Sequence, residues 1–597
     1  MKILGISAYY HDSAAALVEN GFVIAACQEE RLSRIKHDAS FPEKSITYCL
    51  EEAALNLSDL DAIVFYDKPF LKFERLLETY VANAPKGLKS FVSAMPVWLK
   101  EKLFLKKELK NALKKIDENI DWKKTSLLFS EHHLSHGASA FYPSNFEEAA
   151  IVTIDGVGEW ATASISKGKD SEITPLKEMH YPDSLGLLYS AFTYYLGFDV
   201  NSGEYKMMGL APYGEIDISL KDELKEKITQ NIVELFLDGS IKLNQDYFSY
   251  STSLRMISEK RWEKLFGEKR RKKDAPLTRF HFCMALAIQE ITEECVINMV
   301  RFVKELTGAT KLCLAGGVAL NCVANGKIAA TKLFDEIFIQ PAAGDAGGAL
   351  GSALAVYHMH FKKDRILGEM MFNFSQLGPS FSDLSIKRTL ARNKLEFEYL
   401  SDKELINKIA DLLTKNKIVG WFQGRMEFGP RALGNRSILG NPLSSETQSQ
   451  LNLKVKKRES FRPFAPIMLQ EEFSTYFGQE HTSPYMLLVH KILPEYRLSF
   501  KRHGEDLIKT VNESRSILPS ITHVDYSARI QTVSEKSNEK LYHLLQAFKK
   551  QTGFGVLVNT SFNVKDEPIV CSPDDAIRCF LSTEIDVLVL NNFLVWK

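Results

Sequence analysis

One arrangement of short apolar stretches occurs twice in the first 180 residues, and it limits the folds available to the chain. Within residues 3–29, the stretches ILGIS, AAALVEN and FVIAACQEE are separated by turn residues and predict three consecutive strands. From residue 150, AIVTIDG, ATASISKGKD and EITPLKEMH repeat this layout, with glycine and acidic residues in the turns. The repetition predicts two related lobes that each begin with a three-stranded meander.

The remainder of the first part continues as alternating strands and helices. Residues 281–306 predict a long helix, and two apolar strands follow that each run into a glycine-rich turn and a helix of small residues. The actin-like ATPase fold is built from two such lobes, so we predict an α/β protein of this kind. After about residue 370 a new alternation begins, with more arginine in its loops, and we place a domain boundary between residues 365 and 400.

Composition and charge exclude several classes of protein. The 597 residues contain 75 lysines and arginines against 75 aspartates and glutamates, so no field of the whole chain favours nucleic acid or a membrane surface. No stretch reaches the roughly 18 apolar residues of a membrane helix, and Tyr-Tyr-His-Asp interrupts the first residues before a signal peptide could form. The eight cysteines include no C-x-x-C pair, which argues against zinc ribbons and a disulfide framework. We expect a globular, cytoplasmic protein with no nucleic-acid or membrane partner.

Two basic segments each allow two interpretations. Residues 97–118 have apolar positions at helical spacing and a lysine-rich opposite face, which indicates a helix facing water, with a membrane or partner helix as the alternative. GEKRRKKDAP, residues 267–276, is typical of a flexible surface loop, with contact to an anionic substrate or partner as the alternative.

Histidines and aspartates in the first part predict a metal site. His132 and His136 are four residues apart, the spacing at which two imidazoles of one helical face reach a single ion, whereas His133 points elsewhere. Alone, this spacing also occurs in histidines that cap or pack. Asp155 and Asp345 follow apolar stretches in glycine-bearing turns, where a buried carboxylate needs a partner or a metal. Two imidazoles and two carboxylates suit iron, manganese or zinc.

Two glycine-rich turns predict a nucleotide site beside these side chains. AGGVALN (315–321) and GDAGGALGSA (344–353) expose backbone N–H groups and helix N-termini that can bind phosphates. Neither turn is a Walker loop or a dinucleotide fingerprint, and tight helix packing is the alternative for each. The candidate nucleotide-binding residues are Gly316, Gly317, Asn321, Gly344, Gly347 and Gly348.

Arginines in glycine-bearing loops predict an anion-binding site in the second part. They lie in WFQGRMEFGPRALGNRSILGNP (421–442) and KVKKRESFRPFAPIML (454–469), where guanidinium forks suit phosphate and carboxylate groups. VLVNTSFNVKDEPIV (556–570) adds uncharged polar groups at the end of a predicted strand. The candidate residues of this site are Arg431, Arg436, Lys456, Arg458, Arg462, Arg529, Asn559 and Ser561.

Ten segments of the chain resemble the signature blocks of the NodU and TobZ type O-carbamoyltransferases. Between residue 5 and about residue 570 they follow the family's order: YYHDSAAAL, EHHLSHGASAFYPS, TIDGVGEWATAS, GEYKMMGLAPYG, AGGVALNCVANGK, GDAGGALGSAL, EFGPRALGNRSIL, RESFRPFAP, THVDYSARIQTV and LVNTSFNVKDEPIV. The resemblance implies an actin-like (ASKHA) two-lobed N-terminal domain over residues 1–380 and a C-terminal YrdC-like α/β domain over residues 381–597.

The resemblance also implies a reaction in two steps. In the family, the C-terminal site makes carbamoyl-adenylate from carbamoyl phosphate and ATP with release of phosphate and pyrophosphate, and the N-terminal site transfers the carbamoyl group to a hydroxyl and releases AMP. The acceptor would be a small natural-product or sugar-like molecule, ATP would carry Mg, and a homodimer is an expectation from the resemblance alone.

Residue roles follow from the same resemblance. His11 is the candidate base for the acceptor hydroxyl. The metal, Fe(II) or another divalent ion, would be bound by His132, His136, Asp155 and Asp345. Lys456 and Arg462 would hold phosphates, with Arg431, Arg436, Arg458 and Arg529 as further members of that site. The segment from about 215 to 280 has no recognisable motif and is expected to distinguish acceptors.

Three other functions compete with this interpretation. A hydrogenase-maturation carbamoyltransferase needs an acylphosphatase segment and C-x-x-C zinc motifs, which the sequence does not contain. An actin-like nucleotide-binding sensor or scaffold would regulate a partner without transferring a group. A sugar kinase would release ADP without carbamoyl phosphate, and the arginine-rich second part would then have no explanation.

Overall fold

The chain divides into two compact units. The computed structural model describes residues 1–88, 91–92, 95, 104–368, 374–456, 461–479 and 481–597. One unit comprises Met1–Glu29 and Ala39–Met370, and the other comprises Glu30–Asp38 and Met371–Lys597. The sequence predicted one domain boundary, near residue 380. It did not predict that Glu30–Asp38 belongs to the second unit. Arginines hold this segment there, since Arg31 donates to the Gly429 carbonyl oxygen at 2.8 Å and Arg34 to that of Ile569 at 2.6 Å.

The first unit contains two five-stranded sheets and a small hairpin. Its strands are β1 (Lys2–Ser7), β2 (Ala14–Glu19), β3 (Phe22–Gln28), β4 (Ala62–Phe65), β5 (Ser126–Phe129), β6 (Glu148–Ile154), β7 (Ala161–Lys169), β8 (Glu172–His180), β9 (Val233–Leu235), β10 (Ile241–Leu243), β11 (Lys311–Ala315) and β12 (Glu336–Ile339). The sheet orders are β3-β2-β1-β4-β5 and β8-β7-β6-β11-β12, with β9 and β10 forming the hairpin.

The two large sheets share one topology. In each, three strands form an antiparallel meander, and the first strand of the meander begins a parallel run of three, β1-β4-β5 in one sheet and β6-β11-β12 in the other. Helices connect the parallel strands, as parallel pairing requires. The predicted repeat and the two-lobed α/β fold are therefore confirmed.

The described helices up to residue 368 belong to the first unit, except for residues 30–33 of the first helix, which belong to the second. They are α1 (Glu29–Ser33), α2 (Glu43–Glu52), α3 (Pro69–Asn83), α4 (Leu105–Ile116), α5 (His132–Phe141), α6 (Leu185–Tyr195), α7 (Glu204–Leu210), α8 (Ile218–Asn231), α9 (Glu259–Phe266), α10 (Arg279–Thr307), α11 (Cys322–Ala330) and α12 (Asp345–Ala355). No helix within the described ranges is long and apolar enough to cross a membrane.

Three segments test the helix and loop predictions. The long helix predicted at 281–306 is α10, which begins after a capping box at Thr278 and ends at Gly308, whose φ is 65°. The helix predicted at 97–118 is described only in part, as α4, because residues 96–103 lie outside the described ranges. The basic segment 267–276 is a loop, but it is anchored rather than free, because Arg271 is buried and donates to the Leu196 carbonyl oxygen at 2.6 Å.

The second unit is built on one nine-stranded sheet. Its strands are β13 (Glu398–Tyr399), β14 (Val419–Phe422), β15 (Arg436–Gly440), β16 (Ala465–Leu469), β17 (Leu488–Lys491), β18 (Ser527–Val533), β19 (Val556–Ser561), β20 (Val587–Leu590) and β21 (Phe593–Trp596). Their order is β13-β21-β20-β14-β15-β19-β16-β18-β17. The helices are α13 (Asp383–Arg392), α14 (Asp402–Thr414), α15 (Glu446–Gln450), α16 (Glu472–Phe477), α17 (Leu507–Asn512), α18 (Glu539–Thr552) and α19 (Pro573–Ser582).

Both faces of this sheet are buried under helices. Consecutive residues of a strand point to opposite faces, so Ile438 joins a core with α13 and α19 whereas Leu439 joins a core with α14 and α18. A sheet covered on both sides requires apolar residues at successive positions, which explains continuous runs such as VLVL in β20. The α/β class predicted for the second part is confirmed.

Candidate functional site

Four side chains of the first unit meet where strands end and helices begin. His132 is the first residue of α5, which follows β5, and His136 lies one turn later on the same helix. Asp155 directly follows β6, and Asp345 is the first residue of α12, which follows β12. These elements belong to both sheets of the unit, so the fold brings together residues that are more than 200 positions apart.

The donor atoms of these four residues face one another. The Nε2 atoms of His132 and His136 are 3.2 Å apart, and His132 Nε2 lies 3.1 Å from an oxygen of Asp155. A carboxylate oxygen of Asp345 lies 3.8 Å from His132 Nε2 and 3.6 Å from His136 Nε2. One ligand atom from each residue falls within 4.8 Å of all the others. Two imidazole nitrogens and two carboxylate oxygens converging in this way fit a divalent metal such as Fe(II), Mn(II) or Zn(II).

Close helix packing fixes the position of Asp345 relative to the two histidines. Gly351 of α12 lies against the backbone of α5, and a Cβ atom at this position would overlap the Ser135 carbonyl oxygen. Only glycine permits this approach. Because Ser135 lies between the two histidines in sequence, the contact sets the distance between the ligands of α5 and the ligand of α12.

Hydrogen bonds orient both carboxylates. The backbone N–H of Gly317 donates to Asp155 at 2.9 Å, and the Tyr66 hydroxyl donates to Asp345 at 3.2 Å. Burial raises the pKa of Asp155, but the hydrogen bond from His132 and the charge of His136 outweigh it, so the pKa lies well below its usual range. Burial and the Asp345 carboxylate raise the pKa of Tyr66 well above its usual value, which keeps the phenol protonated and able to donate.

His11 lies beside this set of ligands, in the turn between β1 and β2. Its Nε2 atom is 3.9 Å from an oxygen of Asp345, and its Nδ1 atom is 3.0 Å from Asp12. Burial lowers the pKa of His11, but Asp345 and Asp12 outweigh this effect and raise it to about 9. His133 does not join the group, because its Nδ1 atom is 3.1 Å from the Ser164 hydroxyl on β7.

The first glycine-rich turn lies next to the metal ligands. Gly316 has a φ of 86° and packs against the backbone of Ile154, which brings Gly317 to Asp155. Asn321 caps α11 by accepting a hydrogen bond from the N–H of Ala324 at 3.1 Å. The turn is therefore adjacent to the site, although the Gly317 N–H and the Asn321 side chain already make hydrogen bonds within the protein.

The second turn has one open position and two packed ones. A Cβ atom on Gly344 would meet no atom within 4 Å. By contrast, a Cβ atom on Gly347 would overlap the Ala342 carbonyl oxygen, and one on Gly348 would lie 2.7 Å from the Tyr66 ring. Helix packing thus explains the glycines at 347 and 348, and their predicted nucleotide contacts stay a prediction.

In the second unit, the Lys456 ammonium lies among oxygen atoms at the end of β19. It donates to the Asn563 side-chain oxygen at 2.7 Å, to the Ser561 hydroxyl at 3.1 Å, and to the backbone carbonyls of both residues. The Ser561 hydroxyl in turn donates to Asn563 at 2.7 Å. The structure therefore brings together two candidate residues, Lys456 and Ser561, that are more than 100 positions apart.

Arg436 occupies a different environment from the one predicted for a phosphate ligand. Its side chain has no solvent exposure, and its guanidinium stacks 3.6 Å from the centre of the Phe422 ring. Its N–H groups donate to the backbone carbonyl oxygens of Pro379, Gln423, Gly424, Asn435 and Cys571. This guanidinium ties the loop between β14 and β15 to neighbouring chain segments, and its predicted contact with phosphate stays a prediction.

The other candidates of the second unit are distributed over its loops and central strands. Arg431 and Arg462 are half-buried in loops, and Arg529 is half-buried on β18. Asn559 on β19 is buried, donates to the Ala432 carbonyl at 3.0 Å, and has a side-chain oxygen with no hydrogen-bond partner among the described residues. Arg458 lies outside the described residues.

Sequence reasoning missed four residues near these candidate sites. Tyr66 follows β4 and could have been found by the rule that identified Asp155, a polar residue at the end of an apolar strand. Glu159 accepts hydrogen bonds from the backbone N–H groups of Lys68 and His132. Glu427 accepts hydrogen bonds from the backbone N–H groups of Leu433, Asn435 and Arg436, where the chain enters β15. Arg75 is buried on α3, in a stretch to which the sequence assigned no function.

Comparisons with known proteins agree with the resemblance seen in the sequence. The family profile described as "Carbamoyltransferase N-terminus" matches residues 2–354, and the profile described as "Carbamoyltransferase C-terminus" matches residues 410–597. An uncharacterized protein of Synechocystis is 53% identical over 600 residues, covering 100% of this chain and 96% of that protein. Nodulation protein NolNO of Sinorhizobium fredii is 38% identical over 595 residues, covering 99% of this chain and 79% of that protein.

A solved structure, full-length HypF in its phosphate- and nucleotide-bound form, is 14% identical and covers 62% of this chain and 56% of that chain. Its TM-score of 0.29 is too low to support a shared fold. The two family profiles together span most of the chain, and relatives of 38% and 53% identity align with nearly its whole length. The chain belongs to the carbamoyltransferase family.

Proposed function

We propose that this chain is an O-carbamoyltransferase that uses carbamoyl phosphate and ATP and transfers the carbamoyl group to a hydroxyl of a small, natural-product or sugar-like acceptor. The observation that carries the proposal is the position of His11, whose Nε2 atom lies 3.9 Å from Asp345 at the edge of the four-ligand cluster. A base beside a metal-ligand set is the arrangement needed to move an acyl group onto a hydroxyl.

His11 would act on the acceptor. The imidazole takes the hydroxyl proton as the acceptor oxygen bonds to the carbamoyl carbon, the bond from that carbon to the adenylate phosphate oxygen breaks, and AMP leaves. A histidine whose pKa is about 9 is protonated at neutral pH, so the base role requires that positive charge compensate the carboxylates of Asp345 and Asp12.

His132, His136, Asp155 and Asp345 would bind the metal, for which we propose Fe(II). A divalent ion held there supplies Lewis acidity for the leaving phosphate and the positive charge that His11 needs. The hydrogen bonds from Gly317 and Tyr66 hold the two carboxylates in place for this role.

The second unit would form carbamoyl-adenylate. Lys456 supplies a positive charge next to Ser561, and Arg431, Arg462 and Arg529 supply guanidinium groups that can bind phosphates. Formation of a mixed anhydride from carbamoyl phosphate and ATP develops negative charge on phosphate oxygens, which cations stabilise.

Product analysis tests the proposal. Purified, iron-loaded protein is incubated with ATP and carbamoyl phosphate together and with each alone, while AMP, ADP and pyrophosphate are followed. We expect AMP and pyrophosphate only when both reagents are present. If ADP forms without carbamoyl phosphate, the chain is a kinase or an ATPase. If no nucleotide is converted, a sensor or scaffold role replaces transfer.

A variant pair tests the role of His11. His11→Asn keeps a polar side chain and removes the base, so carbamoyl transfer should fall by about a hundredfold or more while pyrophosphate release persists. His180→Asn is the control, because His180 is a histidine of the same unit whose exposed side chain pairs with Glu178 at the surface. Equal transfer rates for wild type and His11→Asn would contradict the assignment.

A further inference from the structure

The buried guanidinium of Arg75 has no hydrogen-bond partner among the described residues. Arg75 lies on α3 and is only 7% exposed, and its Nε atom is buried without an acceptor. Within the part of the chain that the structure describes, its guanidinium forms no hydrogen bond or ion pair, and it lies against the Tyr181 ring, whose centre is 5.0 Å from the guanidinium carbon. Donors of a guanidinium that are withdrawn from water without an acceptor are costly for the folded protein.

The other buried arginines each make hydrogen bonds through the guanidinium. Arg31, Arg271, Arg436 and Arg515 are the remaining arginines that are buried in the described ranges, and each donates to at least one backbone carbonyl oxygen. These four arginines therefore have structural roles that are visible in their hydrogen bonds. Arg75 has no such role.

Nearby carboxylates do not neutralise Arg75. Asp67 pairs with Lys72 at 2.6 Å, and Glu159 accepts the backbone N–H groups of Lys68 and His132. Burial lowers the pKa of Arg75, and the neighbouring tyrosines and Glu159 oppose that effect without contacting the guanidinium within ion-pair distance. The guanidinium thus retains a positive charge and unused donors.

Arg75 belongs to the same lobe as His11. Lys72 and Arg75 are three residues apart and share a face of α3, and the Lys72 ammonium lies 5.8 Å from the centre of the Tyr10 ring. The Tyr10 ring lies 4.6 Å from the ring of His11. The glycine turns that we associate with the nucleotide follow β11 and β12 of the other sheet. An anion held by Arg75 is therefore placed on the side of the base.

We propose that Arg75 binds a carboxylate or phosphate group of the hydroxyl acceptor, so that the acceptor is an anionic hydroxyl compound such as a sugar acid or a sugar phosphate. The inference rests on the proposed transfer at His11 and specifies its substrate class. An oxyanion would supply the missing acceptors in the bidentate geometry that guanidinium favours.

Thermal unfolding of the full chain tests this inference with model anions in place of the natural acceptor. The probes are glucose, glucuronate, glucose 6-phosphate and AMP, added to wild type, Arg75→Met and Arg271→Met. Arg75→Met should unfold at the wild-type temperature or above it, because it removes an unpaired buried cation, whereas Arg271→Met should unfold at a lower temperature because it loses carbonyl hydrogen bonds.

Unfolding in the presence of the added ligands decides whether Arg75 binds an anion. Glucuronate or glucose 6-phosphate should stabilise the wild type more than glucose does, and Arg75→Met should bind that anion about tenfold or more weakly. AMP should stabilise wild type and Arg75→Met equally. The inference is overturned if anion-dependent stabilisation persists in Arg75→Met, if neither anion exceeds glucose in the wild type, or if the variant loses AMP binding instead.

Failure of the inference about Arg75 can be distinguished from failure of the proposed function. Pyrophosphate release from ATP and carbamoyl phosphate depends on the second unit and should be unchanged in Arg75→Met. Absence of that release in the wild type would remove the proposed function, whereas normal release with no effect of Arg75 on anion binding would remove only the inference about the acceptor.

Discussion

Replacement of Arg436 distinguishes a structural arginine from a phosphate ligand. In Arg436→Met, the apolar stem keeps its place against Phe422, but the guanidinium no longer donates to the five carbonyl oxygens that it contacts. A hydrogen bond contributes about 1 kcal/mol net, and a buried acceptor that loses its donor costs at least that much. For five such hydrogen bonds, we expect a loss of about 3–5 kcal/mol in the free energy of unfolding.

The assay is thermal and urea unfolding of the full chain, followed by circular dichroism, beside carbamoyl phosphate-dependent pyrophosphate release. A loss of this size lowers the unfolding temperature by roughly 10 °C. Arg462→Met is the control, because Arg462 is half-buried and lies in the loop before β16; it should reduce pyrophosphate release and leave the unfolding temperature nearly unchanged. If Arg436→Met unfolds like the wild type and raises the KM for ATP or carbamoyl phosphate, the structural assignment of Arg436 is refuted.

Three further predictions concern the first unit. His132→Ala should lose its metal in elemental analysis, whereas His133→Ala should keep it, because His133 bonds outside the ligand cluster; retention of metal by His132→Ala would contradict the ligand assignment. Gly351→Ala should lower both metal content and unfolding temperature, because the added methyl overlaps the backbone of α5, whereas Gly209→Ala adds a methyl with no atom within 4 Å and should have neither effect. Burial lowers the pKa of His358 from its ordinary value of 6.5 to about 4. Between pH 6.5 and pH 4, His358 therefore binds a proton in the unfolded chain but not in the folded protein. Stability should therefore fall by up to about 3 kcal/mol as the pH drops from 6.5 to 4, and His358→Phe should show a smaller fall in acid unfolding measurements.

The sequence predicted those features that depend on local pattern or on repetition. The two meanders, the long helix α10 and the strand-turn-helix units around Gly316 and Asp345 all follow from apolar spacing and turn residues. The cluster of candidate metal ligands was predictable because its members have a local signature: His132 and His136 share one helical face, and each carboxylate follows an apolar strand in a glycine-bearing turn.

Long-range partners account for what the sequence did not predict. The segment Glu30–Asp38 follows β3 in the chain, but its arginines bond to carbonyl groups some 400 and more residues away, and no local pattern encodes such a partner. The same limit applies to Gly347 and Gly348, which resemble a phosphate-binding turn in sequence although their backbone packs against Ala342 and the Tyr66 ring.

Arg436 and Arg75 show why the acceptors around an arginine, rather than its sequence context, indicate its role. Arg436 begins β15 directly after a glycine-bearing loop that is typical of phosphate binding, yet five backbone carbonyls occupy its donors. Arg75 stands in a helix to which the sequence assigned no function, yet it is buried and its Nε atom has no acceptor among the described residues. Burial of an unpaired cation lowers the stability of the folded protein. Binding of an anion at that cation would offset the loss. The carbonyl groups around Arg436, and the lack of an acceptor for Arg75 among the described residues, therefore support the proposal that α3 takes part in acceptor recognition.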